Sequence, residues 1–131
     1  YNLKPVGKYF VQICTTTPCM IRGAYKLVDV CKKNISEKES ELSSNKNCSW
    51  TEVECLGACI NAPMAQIGKD YYEDLSGSKF EELLEQFRGG NAPVPGPQNG
   101  RFSVEPSAGL TSLSDVNDGG PTENKSVSLA K

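Results

Sequence analysis

The run Lys8-Tyr-Phe-Val-Gln-Ile-Cys14 is rich in aromatic and β-branched residues and predicts a short strand that delivers Cys14 at its carboxyl end. Pro18 disfavours helix at the residue before it and fixes its own φ. The Thr15-Thr16-Thr17-Pro18 loop therefore turns the chain and brings Cys19 close to the start of a helix. From Met20 onward, Ala24, Leu27, Val28, Cys31 and Ile35 recur at helical intervals, with Arg22, Lys26, Lys32 and Lys33 largely outside that stripe. Residues 34–49 are mostly polar and read as a solvated connection, which would leave Cys48 an incidental thiol in a loop. Cys31, on the apolar stripe, reads as a small buried hydrophobe. Ser49-Trp-Thr-Glu-Val-Glu54 then alternates as a half-buried strand and ends at Cys55, repeating the first local design.

Met64-Ala-Gln-Ile67, the turn Gly68-Lys-Asp70 and Tyr71-Tyr-Glu-Asp-Leu75 predict a β-hairpin. After it, Ser76 suits a helix N-cap, with Leu75 and Phe80 spaced as a hydrophobic staple; Ser78 and Glu81 offer a competing capping box. Phe80, Leu83, Leu84 and Phe87 form an i, i+3, i+4, i+7 stripe that Gly89-Gly90 stops. The order strand, helix, strand, hairpin, helix predicts an α/β fold, a mixed four-stranded sheet covered by two main helices, its first two strands parallel through the helical crossover. Residues 1–90 form the folded domain in this reading. Beyond it Gly, Pro, Ser and Asn dominate and Phe102 is the only aromatic, so residues 91–131 read as an extended arm, disordered or ordered by docking on a partner. Pro93-Val-Pro-Gly-Pro97 would be a stiff spacer within it.

The net charge of −2, with no dense basic run, argues against nucleic acid or an anionic membrane as the main partner. No apolar stretch approaches the roughly 18 residues that span a bilayer, so direct membrane insertion is not expected. Glu52, Glu54, Glu73 and Asp74 lack a paired nucleophile or base and read as solvated carboxylates, and Glu81, Glu82 and Glu85 as the outer face of a helix.

Six cysteines and no histidine change the picture most. Four of the six form two tight pairs, Cys14-x4-Cys19 and Cys55-x3-Cys59, each at the end of a predicted strand. Soft thiolates select zinc, copper(I) or iron-sulfur clusters, while the lack of His excludes mixed Cys/His zinc sites, Rieske centres, histidine-ligated haem and His-based nucleophilic catalysis. Spacing alone leaves three readings open: structural disulfides, a four-thiolate zinc site and a [2Fe-2S] cluster. Gly57, within the second loop, permits φ > 0 and close backbone approach, which lets amide N–H groups face the sulfurs. The amides of Thr16, Thr17, Gly57 and Ala58 and the cation Arg22 are candidates for tuning such a centre.

A family resemblance narrows these readings. Cys14-Thr-Thr-Thr-Pro-Cys19, Glu54-Cys-Leu-Gly-Ala-Cys-Ile-Asn-Ala-Pro-Met64, Tyr71-Tyr-Glu-Asp-Leu75, Gly96-Pro-Gln-Asn-Gly-Arg-Phe-Ser103, Glu105-Pro106 and Gly109-Leu-Thr-Ser-Leu113 closely resemble, in order, the 24 kDa (bacterial E) subunits of respiratory complex I. The resemblance implies a thioredoxin-like [2Fe-2S] ferredoxin fold with one [2Fe-2S] cluster on Cys14, Cys19, Cys55 and Cys59. It further implies single-electron transfer within NADH:quinone oxidoreductase, with no substrate site on this chain. FMN and NADH would be bound by a partner, the 51 kDa (bacterial F) subunit, and the large iron-sulfur subunit would be the second neighbour. The implied location is peripheral, on the cytoplasmic side of a bacterial inner membrane or the matrix side of a mitochondrial one. Related NAD-linked hydrogenases and formate dehydrogenases share the cluster domain. Family members usually carry an amino-terminal helical region that precedes this domain, and the chain departs from the pattern there. The fold also raises the expectation of a cis Ala62-Pro63 bond. With no Cys-x-x-Cys in the chain, dithiol-disulfide exchange is not expected.

Overall fold

Strand β1 (Tyr9–Cys14) runs in parallel beside β2 (Cys48–Val53), in the register Val11 to Trp50 and Cys14 to Val53. Between them lie α1 (Thr17–Ile21) and α2 (Ala24–Asn34). The hairpin β3 (Ala65–Ile67) and β4 (Asp70–Glu73) joins the other side of β1, with β3 antiparallel to it, and α3 (Gly77–Arg88) follows. This computed structural model describes residues 2–106 and 108, so the expectation for Gly109–Leu113 lies outside the described residues.

The pleat sorts the side chains. Val11, Ile13, Trp50, Ala65, Ile67 and Tyr72 point to one face and are buried against Leu27, Val28 and Cys31 of α2 and Phe80, Leu83, Leu84 and Phe87 of α3. Phe87 lies 4.9 Å from the Tyr9 ring and edge-on to Tyr72 at 5.6 Å. Both predicted helical stripes are thus the core faces of their helices. Ser76 caps α3 as expected, accepting from the Lys79 amide at 3.1 Å. The Ala62-Pro63 bond is cis. No helix among the described residues is long and apolar enough to cross a membrane.

Asp74, read from the sequence as a solvated carboxylate, instead has a side chain only 5% exposed and pairs with Arg101. The structure corrects three further expectations. First, the sheet has five strands in the order β2-β1-β3-β4-β5, because Gly96–Pro97 of the arm forms β5, parallel to β4. A proline is tolerated there because β5 is an edge strand. Tyr72 Oη donates to Pro93 O (3.2 Å), and the Gln98 amide donates to Glu73 O (3.0 Å). Second, the helix expected from Met20 is two helices, because Gly23 sits at φ +100 and breaks the ladder between Ile21 and Ala24. Third, Cys48 is the first residue of β2, buried in the core, rather than a loop thiol. The polar connection before it is exposed, as expected, but it runs along the outer edge of β2. Ser40 N donates to Trp50 O (2.9 Å), and the Glu39 carboxylate accepts from Thr51 Oγ1 (2.8 Å) and the Glu52 amide (3.0 Å). Side-chain and backbone groups of a polar loop cover an otherwise open sheet edge.

Candidate metal centre

Parallel pairing carries β1 and β2 to a common end, and the bond from Thr15 N to Val53 O (3.4 Å) ties the chain just beyond both strands. Cys14 closes β1, Cys19 is the third residue of α1, Cys55 lies two residues past β2, and Cys59 opens a 3-10 turn (Cys59–Asn61). The four thiols sequence reasoning singled out are therefore brought to one end of the sheet. Cys14 and Cys19, each 1% exposed, form a small apolar set with Ala24, Ala62 and Met64, against which Leu56, Ala58 and Tyr71 pack. Tyr71 Oη donates to Leu56 O (2.9 Å) and holds the second loop to the hairpin. Cys55 and Cys59 are exposed, their sulfurs 3.4 Å apart. Cys31 and Cys48 lie among the core residues under the helices, apart from this set.

Each pair contains one thiol held below its ordinary 9.0 and one held above it. Burial pushes Cys14 up, but hydrogen bonds from the Thr16 hydroxyl and amide, from Cys19 and from the Leu56 backbone outweigh it and hold the thiol below its ordinary 9.0. Burial, reinforced by the hydrogen bond and charge of Cys14, pushes Cys19 up to about 12. The Gly57 amide, at 3.4 Å from Cys55 Sγ, is the main cause that lowers Cys55, with Cys59 next. Cys59 is raised by its hydrogen bond to Cys55, then by burial. Charge on Cys14 is also felt at Cys59 and Cys55, as expected of neighbouring pairs. A metal ligand must be the thiolate, so loading this site with metal would expel protons.

Of the expected tuning groups, the Gly57 amide reaches sulfur, donating to Cys55 Sγ at 3.4 Å. Arg22 does not: its Nε donates to Ala62 O at 3.4 Å. Gly57 has the predicted positive φ of +83, but a Cβ there would meet nothing within 4 Å, so the glycine serves the backbone turn and not a close approach. Sequence reasoning missed the Thr16 hydroxyl, 3.3 Å from Cys14 Sγ. It also missed Asn61, two residues past Cys59, a buried side chain whose Nδ2 donates to the Glu73 carboxylate and to Ser103 O (2.9 Å).

Among the described residues no three His, Cys, Asp or Glu side chains gather closely enough to hold one metal ion. The donors come as two neighbouring twos. A single tetrahedral zinc needs all four thiolates about one point, whereas a two-iron cluster divides them, two to each iron. The residues present fit the second kind of group.

The family profile described as "Thioredoxin-like [2Fe-2S] ferredoxin" matches residues 1–88. The E 1 subunit of NADH-quinone oxidoreductase from Rhizobium meliloti (strain 1021) is 47% identical over 116 residues, covering 86% of this chain and 42% of that protein. The chain spans about half the length of the curated relatives it matches. A thioredoxin-like [2Fe-2S] ferredoxin from Aquifex aeolicus superposes with a TM-score of 0.55 at 20% identity, covering 73% of this chain and 99% of the other. A chain of an NAD+-reducing [NiFe]-hydrogenase superposes with a TM-score of 0.60 at 15% identity, covering 66% of this chain and 15% of the other. At such identities the two structures speak for the fold alone, and they agree with the profile match over 88 of 131 residues. The chain belongs to the thioredoxin-like [2Fe-2S] ferredoxin family.

Proposed function

We propose that this chain is the cluster-bearing part of an electron-transfer subunit of NADH:quinone oxidoreductase, with Cys14, Cys19, Cys55 and Cys59 holding one [2Fe-2S] cluster. The observation that carries this reading is the gathering of two thiol pairs at the shared end of β1 and β2. The Rhizobium relative supports the assignment to this complex, because its likeness extends over 86% of the chain, whereas the hydrogenase likeness is one of fold.

When bound, the cluster takes up and passes on one electron at a time. The chain's own residues fix where that happens. Cys14 and Cys19, with Ala24, Ala62 and Met64 around them, close the inner side of the centre to water. A partner reaches the centre from the Cys55 and Cys59 side, where both thiols are exposed. Met20, Ile21 and Ile60, each within two residues of a cysteine in the chain, are exposed apolar side chains, Ile60 by 65%. Exposed aliphatic groups beside a redox centre suit a protein partner better than a small charged substrate. In the proposal that partner is the FMN-containing, NADH-oxidising subunit, with the large iron-sulfur subunit as second neighbour. Residues 1–90, with Gly96–Pro97 added to the sheet edge, are then the electron-carrying domain, and the rest of residues 91–131 the arm proposed to dock. The complex would be membrane-peripheral, on the bacterial cytoplasmic or mitochondrial matrix side.

The test is electron delivery. Anaerobically loaded chain, mixed with the flavoprotein subunit and NADH, is expected to lose visible absorbance as the cluster is reduced. It should stay oxidised with NADH alone. A colourless, redox-silent protein carrying zinc would refute the cluster assignment, and a coloured protein that the flavoprotein never reduces would refute the assignment to this complex.

A further inference from the structure

The hydroxyl of Thr16 stands 3.3 Å from Cys14 Sγ. Thr16 is the N-cap residue of α1, with extended dihedrals of φ −67 and ψ 166. A threonine at that position ordinarily turns its hydroxyl to the helix and accepts an N–H from the first turn, a bond worth about 1 kcal/mol. Here it makes no capping bond. Pro18 at the second helical position has no N–H to offer, which removes one competitor for the oxygen. The side chain is half-buried, and it turns to sulfur instead of capping the helix.

We infer that Thr16 is a positioning residue of the centre, whose hydroxyl donates to the Cys14 sulfur and makes the bound cluster easier to reduce. The inference rests on the cluster reading above. A thiolate bound to iron carries no proton, so the only bond possible between the two groups runs from O–H to sulfur. Reduction adds negative charge, and a hydrogen bond to a sulfur stabilises the more negative form. Neither Thr15 nor Thr17 brings its hydroxyl to a sulfur among the described residues, although the three stand in one run.

The experiment compares reduction potentials of loaded wild type, Thr16→Val and Thr16→Ser by redox titration followed by absorbance and EPR. Thr16→Val is expected to shift the one-electron equilibrium against reduction by roughly tenfold, a fall of about 59 mV. Thr16→Ser should stay at the wild-type value, because it keeps the donor and loses only the methyl group. Equal potentials in all three proteins would overturn the role of the hydroxyl while leaving the cluster reading intact. If Thr16→Val and Thr16→Ala take up no cluster but Thr16→Ser loads normally, the hydroxyl holds the sulfur and the inference stands. Loading defects in Thr16→Ser and Thr16→Ala with normal loading of Thr16→Val would trace the effect to side-chain bulk and overturn it. Wild-type protein that binds no cluster would refute the underlying reading, and this is visible before any variant is made.

Discussion

Gly57 shows how one residue can matter through its backbone alone. Its φ of +83 aims the amide N–H at Cys55 Sγ, and there is free space where a side chain would stand. An L-residue at such a φ is strained by roughly 1 kcal/mol. Gly57→Ala is therefore expected to lower unfolding stability by about that much and to lose its cluster faster, while Gly57→Asn, a residue that tolerates left-handed dihedrals, costs less. Denaturation curves and the decay of visible absorbance measure both; an Ala variant that matches wild type would contradict the strain argument. Cys31 carries a second prediction. Burial, with a smaller contribution from Cys48, pushes its thiol well above 9.0, so the folded chain keeps a proton that the unfolded chain gives up. The native state then binds more protons than the unfolded state above about pH 9, and stability falls as pH rises through that value. Below it, this group has no effect. Cys31→Ala in the metal-free chain should flatten the decline, as urea midpoints between neutral and strongly alkaline pH would record.

At the scale of elements, α3 gains its start from one side chain. Ser76 Oγ accepts the Lys79 amide at 3.1 Å, and Ser76→Ala should lower the stability read from urea denaturation by about 1 kcal/mol without altering the dependence on denaturant. This cap, the two helical stripes, the strand end at Cys14 and the strand that stops two residues short of Cys55 were legible in the sequence because each depends on residues a few positions apart. The Cys48 placement was not. Its membership in β2 follows from pairing with Tyr9, 39 positions away, and from the loop of residues 36–43 that lines the strand's outer edge. The break at Gly23 was hidden because Met20, Ala24 and Leu27 keep a helical rhythm across it, while the backbone turns at a glycine. Thr16 stood out as one of three threonines, yet nothing local says that its hydroxyl turns away from the helix it precedes.

Across the whole molecule, the stretch read as a separate arm is stitched to the domain at several points. Beyond β5, Arg101 forms a buried ion pair with Asp74, whose side chains are 10% and 5% exposed, and its Nη1 also donates to Glu105 O (3.2 Å). Ser103 O meets Asn61, beside the turn that carries Cys59. Composition suggested an arm with too little apolar area to fold alone; among the described residues its contacts with the domain are strand pairing, an ion pair and amide bonds. Removing one partner of a buried pair leaves the other charge uncompensated, so Arg101→Leu should destabilise the chain by about 3–5 kcal/mol. Adding Asp74→Leu should recover much of that loss, and a double variant no better than the single one would show that the arm matters by another route.

The central claim is that four named thiolates divide between two irons. It is tested most directly by counting iron and acid-labile sulfide in the anaerobically loaded chain, for wild type and for a serine variant at each of Cys14, Cys19, Cys55 and Cys59. The account predicts two irons and two sulfides per wild-type chain, an EPR signal on reduction, and a lost or altered centre in all four variants, with Cys31→Ser and Cys48→Ser retaining the wild-type count. A wild-type chain that holds zinc and no sulfide, or a Cys14→Ser or Cys55→Ser variant with an unchanged cluster, would contradict it.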